Sequence, residues 1–371
     1  MLTSCDQEQF FKLIKKLAIT PGPSLGEAPR RSVLEGFFLE HKVSYQVDMA
    51  GNLWVSYGQG SWTDTVVFDA HMDVVQEGYT KFVEERDGCI RGLGLGDNLT
   101  AVTLLAMLAV DLQKKAPGFR RPLNILFSIG EEGEGNLKGV RQVVQDHDKA
   151  PYAFVSFDLS FDEYSLAGLG SNRYAVEMTC PGGHSWSDYG LPGAIDQMMQ
   201  CLTSLKEKVR ELSHENPGCL SFNIGTIQGG EGINSIARKA QARFEFRSTN
   251  PQYLKILDHE VGENLAMVNR IPGVSASCTL IGSRPAAPPV CPERTEPHVV
   301  RILAELDEKT RPVVRSTNIN ATLAAGWPSI CLGLCESGRF HSHDEYVVIN
   351  SLEKGWSVLV KLAQTLLEKA P

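Results

Sequence analysis

The chain reads as an α/β protein, a mostly parallel sheet covered by helices, with a smaller α+β domain inserted into it. Three observations predict this. Unbroken apolar runs TVVFDA (65–70), LNILFSI (123–129) and YAFVSF (152–157) alternate with the helical stretches LTAVTLLAMLAVDLQKK (99–115) and NLKGVRQVVQD (136–146). Strands of that kind are buried on both faces, as in a parallel sheet with helices above and below. Between 172 and 283 the order becomes strand, helix, strand, strand, helix, strand, which suits a small antiparallel ferredoxin-like sheet with helices on one face. The Pro-rich SRPAAPPVCPERTEP (283–297) then reads as a linker, after which the alternating style resumes. The expected domains are 1–171 with 284–371, and 172–283; 371 residues exceed what one core usually covers.

The individual elements follow from periodicity. Asp6 is placed to cap a helix whose apolar positions Phe10, Phe11, Leu13, Ile14 and Leu17 keep the 3.6-residue period, and Pro21-Gly22 ends it. A second helix is expected from about Arg30 to His41. VSYQVDM and LWVSYG, separated by Ala50-Gly51-Asn52, read as a hairpin. In the middle region RYAVEMTC, LSFNIGTI, ARKAQARFEFRS and VSASCTLI are strands, and helices run from about Pro192 to Leu212 and over PQYLKILDHEVGENLAMV. A helix near Val299–Leu306, a strand PSICLGL (328–334) and an amphipathic helix from about Ser351 to Lys369 complete the chain.

Composition narrows the function classes. With 42% hydrophobic and 22% charged residues the chain is globular, and the net charge of -8 argues against a nucleic-acid partner, which needs clustered Lys and Arg. No uninterrupted apolar run approaches the ~18 residues of a membrane span, and the first residues lack the pattern of a signal peptide. A soluble protein without a membrane partner is expected. Nine scattered cysteines, from Cys5 to Cys335, fit thiols in a reducing cytosol; Cys331 and Cys335 read as residues of one buried strand.

Five motifs carry chemistry. His71-Met72-Asp73 follows TVVFDA, at the strand end where open α/β sheets bind ligands, although a lone H-x-D also occurs on surface turns. Gly92-Leu93-Gly94-Leu95-Gly96-Asp97-Asn98 leads into a helix. Its glycines are spaced G-x-G-x-G rather than as a dinucleotide loop, and the carboxylate at a helix N-terminus is a stable anion able to bridge cations. Glu131-Glu132, after LNILFSI, read either as a solvated acidic loop or as neighbours pointing opposite ways, one to metal and one to substrate. Asp158 ends YAFVSF, and His341-Ser342-His343-Asp344-Glu345-Tyr346 comes near the C-terminus. Together His71, Asp97, Glu132, Asp158 and His341 form a nitrogen and carboxylate set without thiolate, which suits zinc, cobalt or manganese in a hydrolytic site.

With these motifs in hand, H-x-D, G-x-x-D-N, E-E-G, a downstream acid, G-G-H and H-S-x-x-E-Y, the sequence resembles the co-catalytic zinc metallopeptidase superfamily of peptidase T, carnosine-type dipeptidases, aminoacylase and carboxypeptidase G, over nearly its whole length. The resemblance implies a zinc-peptidase-like fold and two divalent ions, Zn2+ or alternatively Co2+ or Mn2+. By it His71 and Asp158 would hold one ion, Glu132 and His341 the other, and Asp97 would bridge them. Asp73 would orient His71, and Glu131 would be the general base. The inserted domain would be a lid and homodimerisation domain that lends His184 of PGGHSW to the partner's site, with Asn234 and Arg247 contacting substrate. His184 as an exposed turn residue and Arg247 as a surface strand residue are the alternatives.

The implied reaction is cleavage of a short peptide by a di- or tripeptidase or aminopeptidase, since Asp at position 158 accompanies such enzymes in that superfamily. An N-acyl amino acid amidohydrolase is the runner-up, followed by a non-catalytic metal-binding dimer and a nicotinamide-binding enzyme. Val74-Val75-Gln76 replaces the superfamily's T-V-P, and Ser316-Thr317-Asn318-Ile319-Asn320 lacks an acid that relatives carry, which would remove a contact to a substrate amine. His343 competes with His341 for the metal, and the H-S-x-x-E-Y register favours His341.

Overall fold

Four short strands run parallel at the centre of the large sheet, in the order Leu123–Ser128, Val66–His71, Ala153–Phe157, Ser329–Leu332. The computed structural model describes residues 4–115, 118–306 and 310–368. It divides into two compact units, Met1–Gly168 with Pro288–Pro371, and Leu169–Ala287.

In the first unit the hairpin Gln46–Val47 and Leu53–Tyr57 adds antiparallel strands at one edge, and Glu163–Gly168 and Arg311–Arg315 close the other. One face carries Val66, Phe68 and Ala70 into a core with helices Ser4–Ile19, Ala28–Glu40, Thr100–Lys115 and Ser351–Leu367. The other face is met by the short helices Lys138–Gln145 and Ile319–Ala324. Sandwiching buries Phe68 and Phe157 completely, with rings edge-on at 5.3 Å. Each such side chain contributes roughly 1.5–3 kcal/mol. The stretch Leu95–Lys115 is long and apolar enough to cross a membrane by composition, yet most of it is buried in this core.

A second, four-stranded antiparallel sheet decides where the motifs go. Cys89–Arg91 pairs with Tyr346–Val348, opposing Tyr346 to Arg91, which lays the HSHDEY segment beside the glycine-rich loop 250 residues away in the chain.

The inserted unit has four antiparallel strands in the order Leu220–Gly229, Lys239–Ser248, Gly170–Thr179, Ser275–Arg284, with helices Ala194–Glu215 and Pro251–Val268 packed on one face. This is the ferredoxin-like order expected. Lys239–Ser248 alternates exposed and buried residues along much of its length, as a sheet covered on one side requires.

Several local expectations need correction. Asp6 lies inside the first turn of Ser4–Ile19 rather than ahead of it. The strand expected over 328–334 ends at Leu332, so Cys335 is not part of it, although both thiols are buried. The expected linker is not element-free: strand Ser275–Arg284 runs into it, Pro292–Arg294 form a 3-10 turn, and helix Glu296–Glu305 begins in it with Pro297 in its first turn. The last helix ends at Leu367; Lys369 and the side chain of Cys5 lie outside the described residues, and the eight described cysteines are unpaired.

Candidate metal centre

Three adjacent parallel strands deliver their C-terminal ends to one spot. Val66–His71 ends in His71, Ala153–Phe157 is followed by Asp158, and Leu123–Ser128 leads into Glu131 and Glu132. Asp97 arrives from the irregular turn Leu95–Leu99 before the core helix, across a cis Asp97–Asn98 peptide. The helix proper starts at Thr100, so the partners facing the Asp97 carboxylate are two histidines rather than a helix N-terminus. Its Oδ1 is 3.0 Å from His71 Nε2 and its Oδ2 is 3.2 Å from His341 Nε2. His71 Nε2 also lies 3.4 Å from Asp158 Oδ1, and His341 Nε2 lies 3.0 Å from Glu132 Oε1.

The five side chains therefore form two overlapping groups, His71 with Asp97 and Asp158, and Asp97 with Glu132 and His341, each with ligand atoms within 4.8 Å of one another. Asp97 belongs to both. Glu131 does not diverge from Glu132 as strand alternation would have it. The strand ends at Ser128, Gly130 adopts φ 61°, and both carboxylates come within 4.8 Å of the His71 ring. His343 is exposed, 3.8 Å from Glu77, and the ring that meets Asp97 is that of His341.

Behind these residues stands a frame of hydrogen bonds. The buried Asp73 carboxylate accepts the N–H of Glu131 at 3.0 Å, the N–H of Glu132 at 2.8 Å and the hydroxyl of Ser24 at 2.6 Å. His71 Nδ1 lies 3.0 Å from the Asp73 carbonyl and 3.4 Å from its carboxylate. An Nδ1–H donated there leaves Nε2 as the nitrogen that would ligate a metal once its own proton is displaced.

Glu345 does for the other loop what Asp73 does for this one. Fully buried, it accepts N–H groups from Gly94 (3.1 Å), Gly96 (2.6 Å) and Asp97 (2.9 Å). Gly94 has φ 80°, and a Cβ there would run into the Val74 side chain. Asn98 donates to the Phe157 carbonyl at 2.7 Å, fixing the strand end that carries Asp158. Gln76 donates to the His341 carbonyl at 2.9 Å, and both residues hold left-handed backbones (φ 58° and 61°) that non-glycine residues seldom adopt. Arg30, completely buried, donates to the carbonyls of Leu17, Thr20, Gly22, Met72 and Gly78.

The site's charges are mutually dependent. Burial raises the Asp97 carboxyl, but hydrogen bonds from His341 and His71 outweigh it and hold the group below the usual carboxylate range. Burial and the neighbouring Asp97 push Asp158 up. His341 is driven to about 11 by its hydrogen bonds to Asp97 and Glu132. For His71 burial acts downward, yet Asp158 and its other acidic partners leave the ring well above its ordinary value. Such a cluster of carboxylates calls for positive charge between them, which imidazolium or a divalent ion can supply.

Ser24, Arg30 and Asp69 escaped the sequence reading, and Asn98 and Glu345, although named in the motifs G-x-x-D-N and H-S-x-x-E-Y, carried no role in it. Asp69 is buried two residues before His71 and accepts from Ser128, Ser156 and Asn318 at 2.6, 2.8 and 3.0 Å. Asn318 thus faces the inside of the fold. The acid of H-S-x-x-E-Y is a signal for Glu345, but nothing local marks Arg30 or Asp69.

His184 and Asn234 come together in the inserted unit. Gly183–His184 pairs with Ser235–Ile236, and Ser185 N–H donates to the Asn234 carbonyl at 3.0 Å. Arg247 is not with them. Its Nε is 2.8 Å from Glu245 Oε1 on the sheet, and it pairs with Ser171, whereas the His184 ribbon leaves the far end of that sheet beyond Thr179 and Lys239.

A family model described as Peptidase family M20/M25/M40 matches residues 67–365. The acetylornithine deacetylase of Pasteurella multocida (strain Pm70) is 28% identical over 215 residues, 53% of this chain and 53% of that protein. The succinyl-diaminopimelate desuccinylase of Acinetobacter baylyi is 24% identical over 270 residues, 68% of this chain and 70% of that one. The chain spans about half the length of the first curated relatives it matches. Among solved structures, a tripeptidase from Staphylococcus aureus superposes with a TM-score of 0.79 at 16% identity, covering 97% of this chain and 98% of that one. Human carnosine dipeptidase 1 gives 0.70 at 13% identity, covering 98% and 97%. At such identities the superpositions show the fold alone. The family match embraces every residue of the metal centre, and the chain belongs to Peptidase family M20/M25/M40.

Proposed function

We propose that the chain is a dinuclear metal-dependent hydrolase that cuts the peptide bond of short peptides, of di- or tripeptidase or aminopeptidase type. The observation that carries the reading is Asp97, whose two carboxylate oxygens each face a different histidine. The residues fit two divalent ions: His71 and Asp158 would hold one, Glu132 and His341 the other, with Asp97 between them. Nitrogen and carboxylate donors without sulfur favour zinc, with cobalt and manganese as substitutes.

When bound, the ions supply Lewis acidity that makes water a competent nucleophile near neutral pH and polarises the scissile carbonyl. Glu131 takes the proton of the attacking water and passes it to the leaving amine. Asp73 keeps Glu131 in reach through its backbone N–H and fixes the tautomer of His71. His184, from the partner subunit of a homodimer, donates to the developing oxyanion, with Asn234 beside it, while Arg247 holds a substrate carboxylate.

The inserted unit's geometry supports sharing between subunits. Arg247 and Lys239 are eight residues apart, about 26 Å of strand at ~3.3 Å per residue. No short substrate could span that distance within one chain. Leu220–Gly229 is an edge strand, paired on one side, with exposed Ile224 and Ile227, the kind of edge that a second copy can cover. The eight cysteines described as unpaired support a reducing, cytosolic location.

The second reading, an N-acyl amino acid amidohydrolase using the same centre, is favoured by the names of the curated relatives. Turnover of dipeptides against N-acetyl amino acids separates the two; equal or faster hydrolysis of the acetyl compounds would reject the peptidase. Metal analysis should find two ions per chain. Glu131→Ala should retain both and lose turnover about 10³-fold, and unchanged turnover would remove Glu131 from its role.

A further inference from the structure

Within the turn that bears His184, the imidazole is held by its own loop. The Trp186 N–H points at His184 Nδ1 from 3.2 Å and the Ser187 N–H from 3.4 Å. A backbone N–H cannot reverse its role, so Nδ1 must accept, and a neutral ring that accepts at Nδ1 carries its proton at Nε2. The turn is closed by one residue. Asp188 Oδ2 accepts the His184 N–H at 2.7 Å, and the Asp188 N–H donates to the His184 carbonyl at 3.0 Å. Gly183 leaves room for that carboxylate, since a Cβ there would lie 2.8 Å from Asp188 Cβ and 2.9 Å from Oδ2.

We infer that His184 is presented as its Nε2–H tautomer, an outward-facing neutral donor, and that Asp188 is the positioning residue that holds it so. The usual means of fixing a histidine donor is a carboxylate on its second nitrogen. Here the carboxylate acts one step removed: it anchors the backbone whose amides meet Nδ1. His184 and its loop are exposed, so no packing shell does this in place of Asp188. The use of the donor on an oxyanion rests on the function proposed above; the tautomer does not.

The test uses full-length, metal-loaded protein with 15N-labelled histidine, the His184 signal being identified by its loss in His184→Asn. Nδ1 should resonate as an unprotonated and Nε2 as a protonated nitrogen in the neutral ring. On whichever substrate class turns over, Asp188→Ala should lower kcat about tenfold with a smaller change in KM, the order expected for a displaced rather than deleted donor. Asp188→Asn keeps an acceptor for the His184 N–H and should restore most of the loss. Gly183→Ala, which expels the carboxylate, should behave like Asp188→Ala. A protonated Nδ1 in the wild type, or a folded Asp188→Ala protein with unchanged kcat, would overturn the inference. A wild-type tautomer as expected, with His184→Asn losing no kcat, would instead sink the oxyanion role and leave the tautomer standing.

Discussion

The two units hold their functional groups in opposite ways. At the metal centre the loops are tied down by buried carboxylates to partners remote in sequence: Asp73 by N–H groups 58 and 59 residues on, and the Asp97 loop by Glu345 248 residues on. In the inserted unit the comparable residues are exposed (His184) or half-buried (Arg247) and held by near neighbours, His184 by residues 186–188 and Arg247 by Glu245. A centre that must keep like charges together needs a rigid frame around it. Groups proposed only to meet a substrate need no more than near neighbours to hold them.

The difference is sharpest at Asp73, where one carboxylate organises both the histidine turn and the two glutamates. Asp73→Ala removes acceptors from two backbone N–H groups and a hydroxyl at once. It is expected to lower kcat/KM by about 10²- to 10³-fold and metal affinity by about 10- to 100-fold. Steady-state kinetics with a competitive metal-chelator titration measure both, and a change of less than threefold in each would mean that the frame is dispensable.

Metal removal should expose the charge coupling, with two opposite signs. In metal-free protein His341 keeps its proton to about 11 and His71 well above its ordinary value, because of Asp97, Glu132 and Asp158. A ligating nitrogen must be deprotonated, so metal uptake at neutral pH should release protons. Affinity should then rise about ten- to hundredfold per pH unit, for one or two protons displaced. The stability of the metal-free protein should run the other way. A base whose folded value is raised stabilises fully below its unfolded value of about 6.5 and loses that contribution as pH climbs toward the folded value. Calorimetry in buffers of different ionisation enthalpy reads the protons, and thermal melts with chelator read the stability. Affinity flat from pH 6 to 8 would contradict the pairing of these rings with the acids.

Glu345→Gln tests the second half of the frame at lower cost to the chemistry. One amide oxygen cannot serve three N–H groups now shared between two carboxylate oxygens. The variant should lose about 2–3 kcal/mol of stability through unsatisfied buried donors and about tenfold in metal affinity. Denaturant titration of metal-free protein separates the two, and unaltered stability would show that the loop holds itself.

How much of this was legible in the sequence follows the same division. Apolar runs announced the central strands, because a strand buried on both faces tolerates little else, and strand ends announced His71 and Asp158. The strand order of the inserted unit followed from its element order. The frame was not legible, because Arg30 reads as an ordinary helix residue until the carbonyls of five scattered residues turn toward it. Asp69 reads as an interruption of TVVFDA until Ser128, Ser156 and Asn318 close around it. Pairing of Cys89–Arg91 with Tyr346–Val348 is another case: both strands are three residues long, too short to show alternation.

The smallest effect belongs to the Glu245 and Arg247 pair. The two side chains are 22% and 36% exposed, and Glu245 also meets Arg173 at 3.3 Å. A partly exposed pair of this kind contributes under about 1 kcal/mol, so Glu245→Gln should barely move the melting temperature. If Arg247 grips a substrate carboxylate, releasing it from Glu245 also removes a competing anion. KM for substrates ending in a carboxylate should then fall or stay level in Glu245→Gln, and rise about tenfold in Arg247→Ala, while substrates amidated at that end respond to neither variant. Equal KM shifts on carboxylate and amide substrates would return Arg247 to the role of a strand residue paired on the sheet surface.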